Sequence, residues 1–227
     1  MTPQRIDHVA LWVADREADT TRILDIFDVD VLEKTDEFTL IGSDPELGKL
    51  TLFDAEGPRA QSQLMGIAFR EPGRENAQDI DVGEGLHLYR LGMPHAWAVD
   101  LDHISLRVAD TETSAQRWVE LGFERVEPRV EPSARVKLGD SFAELTPGTP
   151  LPTDKPLLNH IGLRVESIDP LVEGEAEVEA HILEVVEAEH SRAVFVQGPD
   201  DVRVEFIEHK PSFAESARPG APSPGAS

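Results

Sequence analysis

Cysteine is absent from this 227-residue chain. Disulfides, thiolate zinc sites, iron–sulfur clusters and thiol nucleophiles are therefore excluded together, and any metal must be held by His, Asp or Glu. Lysine is scarce, with Lys34, Lys49, Lys137, Lys155 and Lys210 as the full set. Against 21 basic side chains stand 44 acidic ones, a net charge of -23. Such a chain repels nucleic acid and anionic membranes, and no basic block offsets the repulsion. An apolar run near the ~20 residues of a membrane span is missing too. The opening MTPQRIDHVALWV carries an acid and a His early and no small-residue cleavage site, unlike a secretory leader. These absences point to a soluble, cytoplasmic protein. Residues 211–227 are rich in Pro, Gly and Ser and are expected to be disordered.

The chain repeats itself. Asp7-His8-Val9-Ala10-Leu11-Trp12-Val13 resembles Asp102-His103-Ile104-Ser105-Leu106-Arg107-Val108 and Asn159-His160-Ile161-Gly162-Leu163-Arg164-Val165. A weaker copy is Leu64-Met65-Gly66-Ile67-Ala68-Phe69-Arg70. An offset of 95 residues relates His8 to His103 and also Lys49-Leu50-Thr51 to Glu144-Leu145-Thr146, so a pair of units looks duplicated. Each copy opens on a strand with a period of two. A helix follows, capped by Asp15 or Asp110, with Asp169-Pro170 in the third copy. Short strand-like runs come next, giving a βαβββ unit. The Leu64 copy is too short and is expected to lack its helix or its middle strands. The predicted fold is α+β: tandem βαβββ units pair into two curved mixed-sheet domains, residues 1–97 and 98–210, the N-terminal one degenerate.

The alternation puts His103 and His160 on one face of their strands, with Glu144 and Glu205 facing the same way on the closing strands. If these two units close on each other, two imidazoles and two carboxylates meet. Without a cation the carboxylates repel and lose solvent uncompensated; a divalent Fe, Mn, Ni, Co or Zn ion removes both costs. The first half offers His8, Lys49, Met65 and His87 instead. An ammonium repels a cation, so that half reads as metal-free, its His8, Trp12, His87 and Tyr89 lining a core or a small pocket.

The βαβββ units, the Asp/Asn-His-Ile-x-Leu-Arg-Val strand and the run Gly198-Pro199-Asp200-Asp201-Val202-Arg203-Val204-Glu205-Phe206 resemble the vicinal oxygen chelate superfamily. It includes glyoxalase I, extradiol dioxygenases and the bleomycin resistance proteins. The resemblance spans residues 4–210 and is strongest from Leu101 onward. It implies that His103, Glu144, His160 and Glu205 bind one divalent metal, which chelates adjacent oxygens of a substrate. A glyoxalase-like lyase or isomerase, with Glu205 or Glu144 as proton-transfer base, is slightly preferred. An extradiol-type dioxygenase is the close alternative, and His190 falls near that group's catalytic His, although Phe195 occupies the place of its Tyr. A non-catalytic binding protein of the bleomycin resistance kind is the third reading. Arg107 and Arg164 lie on the face of their His and are candidate clamps for a substrate carboxylate. Two unit pairs in one chain can replace what smaller proteins obtain by dimerising, so a monomer and a homodimer both fit.

Overall fold

A computed structural model describes residues 1–73, 77–83, 85–175 and 181–216. The elements run β1 (Arg5–Val13), α1 (Arg16–Ile26), β2 (Asp30–Lys34), β3 (Phe38–Gly42), β4 (Lys49–Asp54), β5 (Leu64–Pro72), β6 (Gln78–Gly83), β7 (Leu86–Met93), β8 (Asp100–Val108), α2 (Thr111–Glu120), β9 (Glu124–Val126), β10 (Ala134–Leu138), β11 (Ser141–Pro147), β12 (Leu158–Arg164), α3 (Asp169–Val172), β13 (Ile182–Glu187), β14 (Ser191–Gln197), β15 (Arg203–His209) and α4 (Pro211–Ser216). The expected caps form: Asp15 accepts from Ala18 N and Asp110 from Thr113 N, each satisfying an otherwise orphaned amide. In the last unit Ile168 holds the cap position instead, Asp169 lies inside the helix, and the helix has a single turn. The second unit goes from β5 to β6 within six residues and has three strands and no helix among its described residues.

Two mixed sheets result, ordered β13-β14-β15-β12-β1-β4-β3-β2 and β6-β7-β5-β8-β11-β10-β9. Their central pairs, β1–β12 and β5–β8, are antiparallel. The first unit therefore pairs with the last, and the second with the third. This corrects the expected division at residue 97, because each sheet takes strands from both halves. The physical agent is a pair of crossovers. Residues 55–63 carry the chain out of the first sheet and residues 148–157 bring it back. They run side by side through the Ala60–Pro156 bridge, Ala60 N→Lys155 O (2.9 Å) and Leu157 N→Ala60 O (2.7 Å).

A continuous apolar core joins the helices to the sheets, with Trp118, Phe206, Ile6 and Leu101 fully buried. The tail departs from expectation as well. Residues 211–216 form α4, whose Phe213 is buried against Leu32 and Leu40; residues 217–227 lie outside the described residues. Among the described residues no helix is long and apolar enough to cross a membrane.

Every opening strand contains a bulge. The β1–β12 register skips Asp7 and Asn159, and the β5–β8 register skips Met65 and Asp102. A bulge adds one unpaired residue and re-aims its side chain. Here it sits immediately before the histidine position of each unit, which places that residue beside the next ring.

Candidate metal centre

The β1–β12 register sets Ala10 opposite His160 and His8 opposite Gly162, and Gly162 in turn lies beside Glu205 on β15. Three side chains converge as a result. His8 Nε2 lies 2.9 Å from His160 Nε2, and Glu205 Oε2 lies 3.1 Å from the first and 3.2 Å from the second. All three residues are buried. The bulged residues hold the far side of each ring: His8 Nδ1 donates to Asp7 Oδ2 (2.9 Å) and His160 Nδ1 to Asn159 Oδ1 (3.1 Å). With Nδ1 carrying the hydrogen, both Nε2 lone pairs face each other and the carboxylate. Gly162 makes room, since a Cβ there would fall 2.3 Å from His8 Cε1.

Three buried acceptors pointing at one spot repel unless a cation or a proton sits between them. Glu205 Oε2 has the two imidazole nitrogens as its ion-pairing neighbours. Two imidazole nitrogens and one carboxylate oxygen, each ring braced through its other nitrogen, form a donor set that fits a divalent ion of the Fe, Mn, Co, Ni or Zn kind. His8, His160 and Glu205 are the residues that would hold it.

Without the ion, a proton does the bridging. Burial opposes the His8 imidazolium, but the carboxylates of Asp7 and Glu205 outweigh it and raise His8 to about 9. Burial likewise works against Glu205, yet the facing imidazoles pull its carboxyl below the usual range. His160 is lowered, chiefly by burial. The metal must therefore displace the His8 proton. Apparent affinity is expected to rise about tenfold per pH unit from pH 6 to 8 and to flatten near pH 9, measured by Co²⁺ competition titration. A flat profile over pH 6–8 contradicts the bridge. The same raised value stabilises the metal-free fold below the unfolded His value of 6.5, a contribution lost as pH climbs through 9.

The predicted quartet does not assemble. His160 and Glu205 meet His8, whereas His103 and Glu144 belong to the other sheet. There His103 Nδ1 is tied to Asp102 (2.6 Å), and Glu144 is held by Arg135 (2.7 Å) and Arg129 (3.5 Å). Nested pairing of the units is the cause. The offset of 95 also fails on the closing strands. Ser105 lies beside Glu144 on β11 and Ala10 beside Thr51 on β4, so Thr51, and not Lys49, stands where a fourth ligand would be. Lys49 is wholly buried, with Nζ donating to Asp7 Oδ1 (3.0 Å), Pro45 O (2.8 Å) and Leu47 O (2.9 Å). His209 Nε2 also contacts Asp7 Oδ1 at 2.9 Å. Burial would raise the Asp7 carboxyl, but Lys49 and His209 hold it well below the usual range.

In the other sheet His103 lies opposite Ala68 and Ser105 opposite Gly66, while Ala68 lies beside Tyr89. Gly66 and Tyr89 thus occupy the places of His160 and Glu205, one and two residues from the Met65 and His87 expected there. The Tyr89 ring fills the gap, its Cε2 2.4 Å from where a Gly66 Cβ would be. His87 is turned to Asp79 (3.1 Å).

The other candidates lie elsewhere. His190 bonds to Ser212 Oγ (3.1 Å) beside α4. Arg164 is engaged by Glu46 at 2.6 and 3.2 Å, and Arg107 is on β8 of the other sheet. Phe53, Arg59 and Arg203 are aromatic and cationic neighbours that the sequence did not single out, and they join Trp12 and Phe195, which it did. Phe195 packs edge-on to His160 at 5.1 Å, Phe53 lies 6.1 Å from His160, and Trp12 lies 5.4 Å from Phe53. Arg203 stacks over Phe195 at 3.9 Å and Arg59 over Trp12 at 5.6 Å. His8 itself was visible as a strand histidine, but only the pairing of the first unit with the last makes it a ligand.

A putative dioxygenase from Bacillus subtilis superposes with a TM-score of 0.74 at 14% identity, covering 94% of this chain and 87% of that one. Glyoxalase I from Zea mays superposes with 0.68 at 14% identity, covering 90% and 92%; its V278E mutant gives 0.70 at 16%, with the same coverage. The chain has the vicinal oxygen chelate fold. No family model matches its sequence, and no curated protein does. On this scaffold one sheet carries the His8–His160–Glu205 cluster, and the other has Gly66 and Tyr89 at the register positions of His160 and Glu205.

Proposed function

We propose that the protein is a ferrous-iron dioxygenase that opens a dihydroxylated aromatic ring. The observation that carries this reading is the donor count: two histidines and one glutamate, with Thr51 at the fourth position. Two-histidine, one-carboxylate sites with open positions suit non-haem Fe(II) oxygenases. The preference for lyase or isomerase chemistry leaned on Glu144 as fourth ligand and base, and Glu144 is in the other sheet. Ferrous iron held by His8, His160 and Glu205 would supply chelation of two adjacent substrate oxygens and activation of O₂. Asp7 and Asn159 orient the two imidazoles through Nδ1, while Phe53 and Phe195 wall the site and exclude water from the rings they touch. Asn159 and Arg203 also border a cavity of about 630 Å³ beside the crossovers, which His8, His160 and Glu205 do not line. The test is to strip the metal, reload with Fe²⁺, Mn²⁺ or Zn²⁺ anaerobically, and record O₂ uptake with catechols and hydroquinones. One O₂ per ring opened, with iron alone or best, is the expected result. Isomerisation of hemithioacetals without O₂ uptake overturns it.

A further inference from the structure

The short C-terminal helix lies on the face of its sheet that carries the metal cluster. Leu40 pairs with Thr51, Thr51 with Ala10 and Ala10 with His160, so the four residues share one face. Phe213 of α4 is buried against Leu40 and Leu32 on that face, apart from the main core. The strand order is β15-β12-β1-β4-β3, so a chain leaving β15 at His209 reaches Leu40 across the strands that carry His160 and His8. α4 is therefore a strap over the ligand face. His190 anchors it: Lys210 N donates to His190 O (2.9 Å) and Ser212 Oγ bonds to His190 Nδ1 (3.1 Å).

The strap reaches one ligand through a carboxylate. Asp7 Oδ2 takes His8 Nδ1 (2.9 Å), while Oδ1 takes Lys49 Nζ (3.0 Å) and His209 Nε2 (2.9 Å). Lys49 Nζ is fixed by two further carbonyls. His209 has no such brace, since its Nδ1 is buried without a hydrogen-bond partner among the described residues. Its ring plane is set instead by Phe213, stacked on it at 4.2 Å and 10°, and a ring held in plane holds the direction of its N–H. We infer that Phe213 and His209 are positioning residues for the metal. Phe213 fixes the His209 ring, His209 fixes the Asp7 carboxylate, and Asp7 presents His8 Nε2 to the ion. This rests on the metal reading of the cluster and is independent of the ring-opening chemistry.

Two readouts on the full chain test it: Co²⁺ affinity by competition titration, and solvent exchange of the His8 Nδ1 hydrogen by NMR on metal-free protein. Phe213→Ala lowers affinity about fivefold, less than the roughly 10–100-fold cost of changing a group that touches a ligand ring. It also speeds the His8 exchange at least about tenfold, because the bond to Asp7 opens more often. His209→Phe keeps the stack, loses the donor and gives the same two changes. His209→Gln, whose amide nitrogen can take the place of Nε2, stays within about twofold of the wild type in both. Trp118→Phe, on the helix that packs against β10 and β11 of the other sheet, lowers the melting temperature and moves neither readout. Either readout unmoved by Phe213→Ala and His209→Phe overturns the inference. So does His209→Gln as impaired as His209→Phe, or changes that merely follow melting temperature across the variants. The expected exchange rates in a wild type that binds no Co²⁺ leave the Phe213–His209–Asp7–His8 chain standing and sink the metal reading alone.

Discussion

His160→Ala and Glu205→Gln each abolish metal retention, with affinity falling at least about a hundredfold, whereas Glu144→Gln and His103→Ala leave it unchanged. The asymmetry follows from the nested sheets. His160 Nε2 and Glu205 Oε2 are within 3.2 Å of each other and of the His8 ring nitrogen; removing one leaves two donors and an open coordination side. Changing a group that merely orients a ligand already costs 10–100-fold, so loss of a ligand exceeds that. Glu144 instead neutralises Arg135 and Arg129, and its amide loses an ion pair in the other sheet. Metal content after expression and a competition titration provide the readout, with melting curves to show that each variant folds. Loss of metal in Glu144→Gln, with His8→Ala unaffected, would restore the tandem pairing and remove the basis of the three-ligand site.

Much of the unit was legible in the sequence. Alternation placed the opening strands, and Asp15 and Asp110 announced the helices because an aspartate before an apolar stripe satisfies free amides. What alternation could not supply was the partner of each opening strand. β1 and β8 present equally apolar inner faces, so either nested or tandem pairing buries them, and the choice is made by two crossovers whose mutual hydrogen bonds at Ala60 have no side-chain signature. Differences in connection length hid the rest. From His8 to Gly66 is 58 residues where His103 to His160 is 57, and from His8 to Thr51 is 43 where His103 to Glu144 is 41. Equivalences counted by fixed offset therefore slipped, to Met65 instead of Gly66 and to Lys49 instead of Thr51. Phe213 was passed over because one apolar residue in a Pro- and Ser-rich stretch has no periodicity to show, yet its ring stacks on His209 at 4.2 Å.

Lys49→Met is expected to destabilise the fold by about 3–5 kcal/mol, more than an ordinary core exchange of similar volume. The methionine fills the space, so the cost is electrostatic. Asp7 is 1% exposed and stays ionised against burial because Lys49 and His209 face it. Removing the ammonium leaves a buried charge undercompensated, and breaking one partner of a buried pair costs in this range. The two carbonyls of Pro45 and Leu47 lose their donor as well. Asp7→Asn in the Lys49→Met background therefore recovers part of the loss, since the amide no longer carries the charge. A double-mutant cycle by urea unfolding, run on metal-free protein, should give a coupling of at least about 1 kcal/mol between the two positions. Asp7→Asn alone also offers an amide where His8 Nδ1 now meets a carboxylate, which weakens the hold on the tautomer that presents Nε2 to the metal. Stability and metal affinity thus separate: Lys49→Met lowers mainly the first, Asp7→Asn lowers both, and additive losses in the cycle would show that Lys49 does not act through Asp7.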